Sequence, residues 1–229
     1  MSDPKTNLFN SLERGCVFCG SNRGINTVNL EAARVVGTAL VRRGIGLVYG
    51  GGKVGLMGAL ADAIAAGGEV IGVIPQALVS KEVAHKGLSD LRIVSSMHER
   101  KTLMAELANG FIALPGGFGT VEDFCEVVTY GQLGLHNKPC GILNVAGFFD
   151  SLLVFVDHAV AERFIRAEHR SLILAETDVD RLLFWGAGGA IWKRGLAAGL
   201  CVSGKRLRAV VCSGVWRRLF SFLDRLAYN

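Results

Sequence analysis

Apolar residues fall in short runs along this chain, several of them bounded by glycine or proline, with stretches of helical spacing between them. Cys16-Val17-Phe18-Cys19 reads as a first strand, closed by Gly20-Ser21-Asn22. Asn29 to Arg43 carries Leu30, Ala33, Val36 and Val41 at amphipathic spacing and stops at Gly44, which predicts a helix. Gly46 to Tyr49 is a second strand that runs into the glycine-rich Gly50 to Gly58, and an Ala-rich helix follows to Ala66. Val70 to Ile74 is a third strand, stopped by Pro75. A polar connection holding Glu82 and His85 leads to a fourth, Leu91 to Val94, and Met97-His98-Glu99-Arg100-Lys101 opens another helix. Gly110 to Leu114, Cys140 to Val145 and Leu172 to Leu174 complete the strands, with a helix over Phe149 to Val160. Strand–helix alternation of this kind predicts an α/β fold of three layers around a mostly parallel sheet.

The fifth strand leads into Leu114-Pro115-Gly116-Gly117-Phe118-Gly119-Thr120-Val121-Glu122-Asp123. Beyond it Val121, Phe124, Cys125, Val128 and Leu133 recur at near-helical spacing, so Thr120 is the expected N-cap. A strand, a tight glycine turn and a helix start together aim free backbone N–H groups at one point, on the positive end of a helix dipole. That is an anion site suited to phosphate. Glu122 and Asp123 follow within the first helical turn, and they are the candidate reacting groups of an enzyme acting on a phosphorylated small molecule.

With 229 residues the chain can build one sizeable core but hardly two. Half of the residues are hydrophobic and 30 are glycine, many just after apolar runs, which suits tight strand-to-helix turns. The net charge of +5 is carried by the last forty or so residues, so the body is near neutral and nucleic-acid binding is not indicated. Six scattered cysteines read as reduced core thiols of a cytoplasmic protein. Met1 to Arg14 lacks a signal-peptide core, and no run is long enough for a membrane span. The expected organisation is a flexible N-terminus over 1–14, one domain over 15–184, and an atypical basic and apolar extension over 185–229 with no role in catalysis.

Other motifs are weaker. Cys16 and Cys19 form a CxxC, but residues three apart on a strand point to opposite faces, so a structural role is expected. Gly50-Gly51-Gly52-Lys53-Val54-Gly55 satisfies a dinucleotide fingerprint in form. Its acidic partner is missing, however, because Glu69 precedes the next strand instead of ending it, and Val54 stands where a phosphate loop needs Ser or Thr. These glycines are expected to line the substrate cleft. Arg100 and Lys101 oppose the dipole at a helix start, a penalty that a bound phosphate or carboxylate would offset. His85, His136, His158 and His169 show no ligand spacing and read as surface or packing residues.

Tyr49-Gly50-Gly51-Gly52, Gly55-Leu56-Met57-Gly58, Gly72-Val73-Ile74-Pro75, Met97 to Lys101, Pro115 to Thr120 and Gln132 to His136 with Lys138-Pro139 follow one another in order. From about Gly15 to Leu183 this resembles the Lonely Guy family of cytokinin riboside 5′-monophosphate phosphoribohydrolases, long labelled lysine decarboxylases. The resemblance implies a Rossmann-like fold, hydrolysis of an adenine-type nucleoside 5′-monophosphate such as AMP to free base and ribose 5-phosphate, no cofactor and no metal. It also implies a homodimer or higher homo-oligomer with both subunits at the site. Carried over by position, Arg100, Lys101 and the turn of Gly116, Gly117, Phe118, Gly119 and Thr120 would meet the phosphoribosyl group, with Val121, Glu122 and Asp123 beside it. Glu82 and Thr129 would complete the substrate contacts, and Arg100 with Asp123 or Glu122 would be catalytic. The family pattern P-G-G-x-G-T-x-x-E ends on Glu, whereas Asp123 stands there in this chain. A non-catalytic nucleotide carrier or sensor on the same fold is the competing reading.

Overall fold

Side chains alternate across a strand, so each short apolar run must find cover on both faces. Among the described residues, the chain meets that demand with seven strands and helices on either side. The computed structural model describes residues 12–65, 67–79, 84, 85, 87, 88 and 90–186. In chain order the elements are β1 (Arg14–Phe18), α1 (Val28–Arg42), β2 (Gly46–Tyr49), α2 (Gly55–Ala65), β3 (Val70–Pro75), β4 (Asp90–Val94) and α3 (Met97–Leu107). They continue with β5 (Gly110–Ala113), α4 (Phe118–Gln132), β6 (Cys140–Leu143), α5 (Asp150–Ala161), α6 (Ala167–Arg170), β7 (Ile173–Glu176) and α7 (Val179–Gly186). The extension over 187–229 and residues 1–11 lie outside the described residues, as does Ala66.

The strands form one sheet in the order β4-β3-β2-β1-β5-β6-β7, and every described pairing is parallel. A mostly parallel sheet was expected; no antiparallel strand interrupts it among the described residues. Val17, Leu47, Tyr49, Ile112 and Leu114 face α1, α2 and α7. Cys16, Phe18, Val48, Phe111, Ala113 and Ile142 face the opposite layer of α3, α4 and α5. The α/β, three-layer, Rossmann-like reading is therefore correct. Cys16 and Cys19 fall in different layers, both buried and free, as strand alternation required.

Boundaries differ from the sequence reading where side chains build turns. β6 ends at Leu143, short of Val145, because Asn144 turns the chain. Its Oδ1 accepts the Phe149 N–H at 2.8 Å and its Nδ2 donates to Asp150 at 2.7 Å. β7 starts at Ile173, one residue later than read, and α7 was not foreseen; Leu182 and Leu183 bury it against the α1 side of the sheet. No helix among the described residues is long and apolar enough to cross a membrane.

One cap matters for the site. Ser96 is the extended N-cap of α3, and its Oγ accepts the Glu99 N–H at 3.1 Å. The Glu99 carboxylate reaches back to Ser95, accepting from its N–H at 2.8 Å and its hydroxyl at 2.6 Å. These reciprocal bonds satisfy donors that a helix start leaves open and fix the first turn, which carries Arg100 and Lys101. Ser96→Ala is expected to lower unfolding stability by about 1 kcal/mol, read as a shifted midpoint with unchanged slope in urea denaturation.

Candidate active site

β1 and β5 are neighbours at the centre of the sheet, yet the chain leaves β1 toward β2 and leaves β5 toward β6. The loops diverge there and leave a crevice beyond the strand ends, where parallel sheets hold ligands. Backbone bonds tie the loops around it. The Leu114 N–H donates to the Phe18 carbonyl at 2.9 Å, Gly20 N–H to Pro115 at 3.0 Å, and Leu56 N–H to Gly20 at 3.0 Å. The turns after β1, β2 and β5 gather as expected.

The helix after β5 starts a turn earlier than expected. Its N-cap is Gly117, extended at φ −91° and ψ −155°, and not Thr120. The Gly117 carbonyl takes the first helical bond, from the Val121 N–H at 3.2 Å. Thr120 lies inside the first turn, buried, with its side chain folded against Gly116. A Cβ at Gly116 would collide with the Thr120 hydroxyl, so glycine is required there. Among the described residues, the amides of Gly116 to Thr120 have no acceptor. Gly117 and Gly119 are different from Gly116. Neither has a positive φ, and a Cβ on either would meet nothing within 4 Å. The protein itself gives no reason for glycine at these two positions. Bare backbone beside free amides at a helix start is the form of an anion cradle.

Arg100 of α3 is buried, with only 9 % of its surface exposed. Its Nη2 donates to the Gly50 carbonyl at 3.1 Å and its Nη1 contacts the Met97 sulfur at 3.7 Å. A Cβ at Gly50 would overlap the guanidinium, so the close approach at this glycine is to Arg100. Gly51, at φ +76°, likewise packs on Ile74 and Leu91 of the neighbouring strands. Sequence reading expected these glycines to face the substrate cleft; internal packing accounts for both. Arg100 Nε is buried without a hydrogen-bond partner among the described residues.

Lys101, from the same turn of α3, points at α4 and meets three carboxylates. Glu122 accepts a hydrogen bond from its Nζ, Glu126 lies at 3.5 Å and Asp123 at 3.9 Å. Burial works to lower the Lys101 pKa, but the Glu122 hydrogen bond and the charges of Glu126, Glu122 and Asp123 outweigh it and hold the ammonium above its ordinary value. The acids differ in setting. Glu122 is 57 % exposed, whereas Asp123 is 18 % exposed and its Oδ1 is buried without a hydrogen-bond partner among the described residues. Burial raises the Asp123 pKa to about 6; Arg100 and Lys101 pull it down, and Glu122 and Glu126 push it up. A carboxylate that titrates near neutrality beside an anion cradle can exchange a proton with a reactant.

Arg100, Lys101, Glu122, Asp123 and the turn from Gly116 to Thr120 thus converge, with Val121 half-buried behind them. Phe118 is exposed at the helix start. Thr129 does not join them in this subunit. It is exposed, its hydroxyl bonds the Cys125 carbonyl at 2.7 Å, and nine residues of helix set it about 13 Å beyond Thr120. Glu82 lies outside the described residues. Glu69 pairs with Arg14 at 2.8 Å before β3, at the opposite end of that strand from the crevice. His136 is a packing residue: its Nε2 bonds the Val127 carbonyl at 2.8 Å, its Nδ1 accepts the Lys138 N–H at 3.1 Å, and burial lowers its pKa. Sequence reading missed that Gly50 seats Arg100 and that Glu126 shares Lys101. Among the described residues, no group of three or more His, Cys, Asp or Glu is placed to hold a metal ion.

The raised Asp123 pKa has a consequence for stability. A carboxyl that prefers its proton in the folded state favours folding fully below its ordinary pKa, near 4, and loses that contribution as pH rises through about 6. Asp123→Asn is therefore expected to be more stable than wild type at pH 8, by roughly 1–3 kcal/mol, with the gain vanishing by pH 4. Urea titrations of both proteins at the two pH values check this.

Comparison with known proteins places this geometry. The family described as possible lysine decarboxylase matches residues 57–184. A probable cytokinin riboside 5′-monophosphate phosphoribohydrolase of Oryza sativa subsp. japonica is 50 % identical over 171 residues, which cover 74 % of this chain and 77 % of that protein. A cytokinin riboside 5′-monophosphate phosphoribohydrolase of Arabidopsis thaliana is 48 % identical over 171 residues, covering 74 % and 80 %. Among solved structures, the molybdenum cofactor carrier protein of Chlamydomonas reinhardtii superposes with a TM-score of 0.56 at 20 % identity, over 81 % of this chain and 99 % of that one. The molybdenum cofactor binding protein of Rippkaea orientalis gives 0.57 at 17 %, over 76 % and 94 %. At such identities the two structures share the fold and nothing more. By sequence, this chain belongs to the Lonely Guy family, the phosphoribohydrolases whose older description is possible lysine decarboxylase.

Proposed function

We propose that this chain hydrolyses the N-glycosidic bond of cytokinin riboside 5′-monophosphates or AMP, releasing the free base and ribose 5-phosphate. The observation that carries the reading is the row of unpaired amides from Gly116 to Thr120 set beside a half-buried carboxylate, Asp123, on which the buried Arg100 guanidinium acts. The amides and the α4 dipole take the 5′-phosphate. Arg100, with a free Nε and a fixed Nη2, holds phosphate and ribose in register.

As the C–N bond breaks, the sugar gains oxocarbenium character, which a nearby carboxylate stabilises. Above about pH 6 Asp123 is ionised and takes a proton from water as the water oxygen bonds the anomeric carbon. The C–N electron pair leaves with the base, which takes up the proton that Asp123 gained, so the carboxylate is restored. Glu122, more exposed and bonded to Lys101, tunes the local charge. The crevice between α3 and α4, lined by Lys101, Asp123, Glu126 and Tyr130, has a volume of about 10 Å³. That is too small for a purine, so the base lies outside it.

The domain over 15–184 carries this activity as a homodimer in the cytoplasm. Exposed Phe118 and Leu133 on α4, with Val154 and Phe155 on α5, give the α3–α5 side an apolar outer surface for a second copy. A partner docked there would bring the second Thr129 toward the first cradle. The buried free thiols of Cys16, Cys19 and Cys140 suit a reducing compartment.

The test is chromatographic detection of adenine or N6-prenyladenine released from the matching 5′-monophosphate. Wild type is expected to release base, Asp123→Ala to lose about 10²–10⁴-fold in kcat, Arg100→Ala to lose activity comparably, and Glu122→Ala to lose less. Saturable AMP binding without base release over hours would replace this reading with a nucleotide carrier or sensor. Light scattering is expected to give twice the 24.4 kDa chain mass.

A further inference from the structure

α4 carries an acid that the reaction outlined above does not use. Glu126 sits one turn beyond Glu122, with 20 % of its side chain exposed. Its Oε1 accepts the Tyr130 hydroxyl at 3.1 Å, and its Oε2 lies 3.5 Å from Lys101 Nζ. Three carboxylates therefore share one ammonium, but they hold it differently. Glu122 is exposed and turns outward beside the cradle. Asp123 stands off at 3.9 Å. Glu126 is largely buried and is itself held, one turn further on, by a tyrosine whose ring is buried.

A phosphate dianion settling on the Gly116–Thr120 amides brings two negative charges to the Glu122 side of the cluster. Repulsion then acts first on the acid free to swing into solvent, which is Glu122. Glu126 has no such freedom. We propose that Glu126, steadied by Tyr130, is a positioning residue for the hydrolysis: it anchors Lys101 between α3 and α4 and keeps the ammonium at its distance from Asp123 when the cradle is occupied. This rests on the hydrolase reading for its purpose, although the anchoring itself does not.

The groups that face Asp123 are Arg100 and Lys101 from α3, Glu122 and Glu126 from α4, and the Cys16 thiol from β1, whose pKa is raised by burial and by the Asp123 charge. With phosphate on the cradle and Glu122 displaced, Glu126→Gln removes a like charge and releases Lys101 to close on Asp123. Both changes favour the ionised carboxylate, so the Asp123 midpoint moves down from about 6.

The experiment is a ¹³C-carboxyl NMR titration of the full chain in wild type, Glu126→Gln and Tyr130→Phe, with Asp123→Asn to assign the resonance. Inorganic phosphate at saturating concentration occupies the cradle and no substrate is present, so the result does not depend on turnover. The expected midpoint falls by about half a pH unit or more in Glu126→Gln and by less in Tyr130→Phe. The acid limb of kcat/KM for AMP moves with it, and KM rises more than kcat falls. An unmoved Asp123 midpoint in a folded Glu126→Gln protein overturns the proposal. Should that variant fail to fold, Tyr130→Phe, which removes one hydroxyl, decides in the same way. A shifted midpoint in a protein that releases no base leaves the anchoring intact and removes the hydrolase reading.

Discussion

A guanidinium is expensive to take out of water, and the architecture around the crevice is shaped by having buried one. Arg100 is reached by a carbonyl from the turn after β2, by a thioether from its own helix and by the field of Asp123 across the gap. Each contact comes from a different element, so those elements must arrive together. The glycine at position 50 exists to let the guanidinium in, and the Ser96 cap sets the helix turn that delivers it. One polar atom, Nε, remains unpartnered among the described residues, which is the usual mark of a site that finishes its hydrogen bonding with something from outside.

Around that cation the charges nearly cancel but are not evenly hidden. Arg100 and Lys101 face Glu122, Asp123 and Glu126 across the α3–α4 interface. The exposed acid keeps its solvent, whereas the buried one is driven toward protonation by loss of water more than by its neighbours. Two adjacent carboxylates on one helix turn thus acquire different chemistry from position alone, much as a general base and a spectator must.

The fold was legible because strand and helix periods alternate cleanly, and because several stops are marked by glycine or proline. Strand ends were less legible. β6 ends where the Asn144 side chain rebuilds the turn, and periodicity does not see a side chain bonding to the backbone. The α4 start was misplaced for a similar reason. Thr120 has the chemistry of a cap, but the helix begins three residues sooner, at Gly117, whose carbonyl takes the Val121 N–H. At the site, the cradle, Arg100 and the acid pair could be read from the local string. The Gly50–Arg100 contact joins residues fifty apart and had no local signal. The Ser96-x-x-Glu99 spacing would have marked the α3 start, and Glu126 with Tyr130 at i,i+4 was the available hint of a linked pair.

The two kinds of glycine in the turn after β5 have different consequences for how this chain could drift. Gly116 is held by its neighbours, so replacement there would be felt as misfolding and would be removed by quality control. Gly117 and Gly119 answer to no protein atom within 4 Å. A side chain at either could leave the molecule abundant, folded and silent, occupying the space into which the proposed phosphate would settle. Such a protein would look healthy by every assay of expression or melting, and only a binding measurement would reveal the loss.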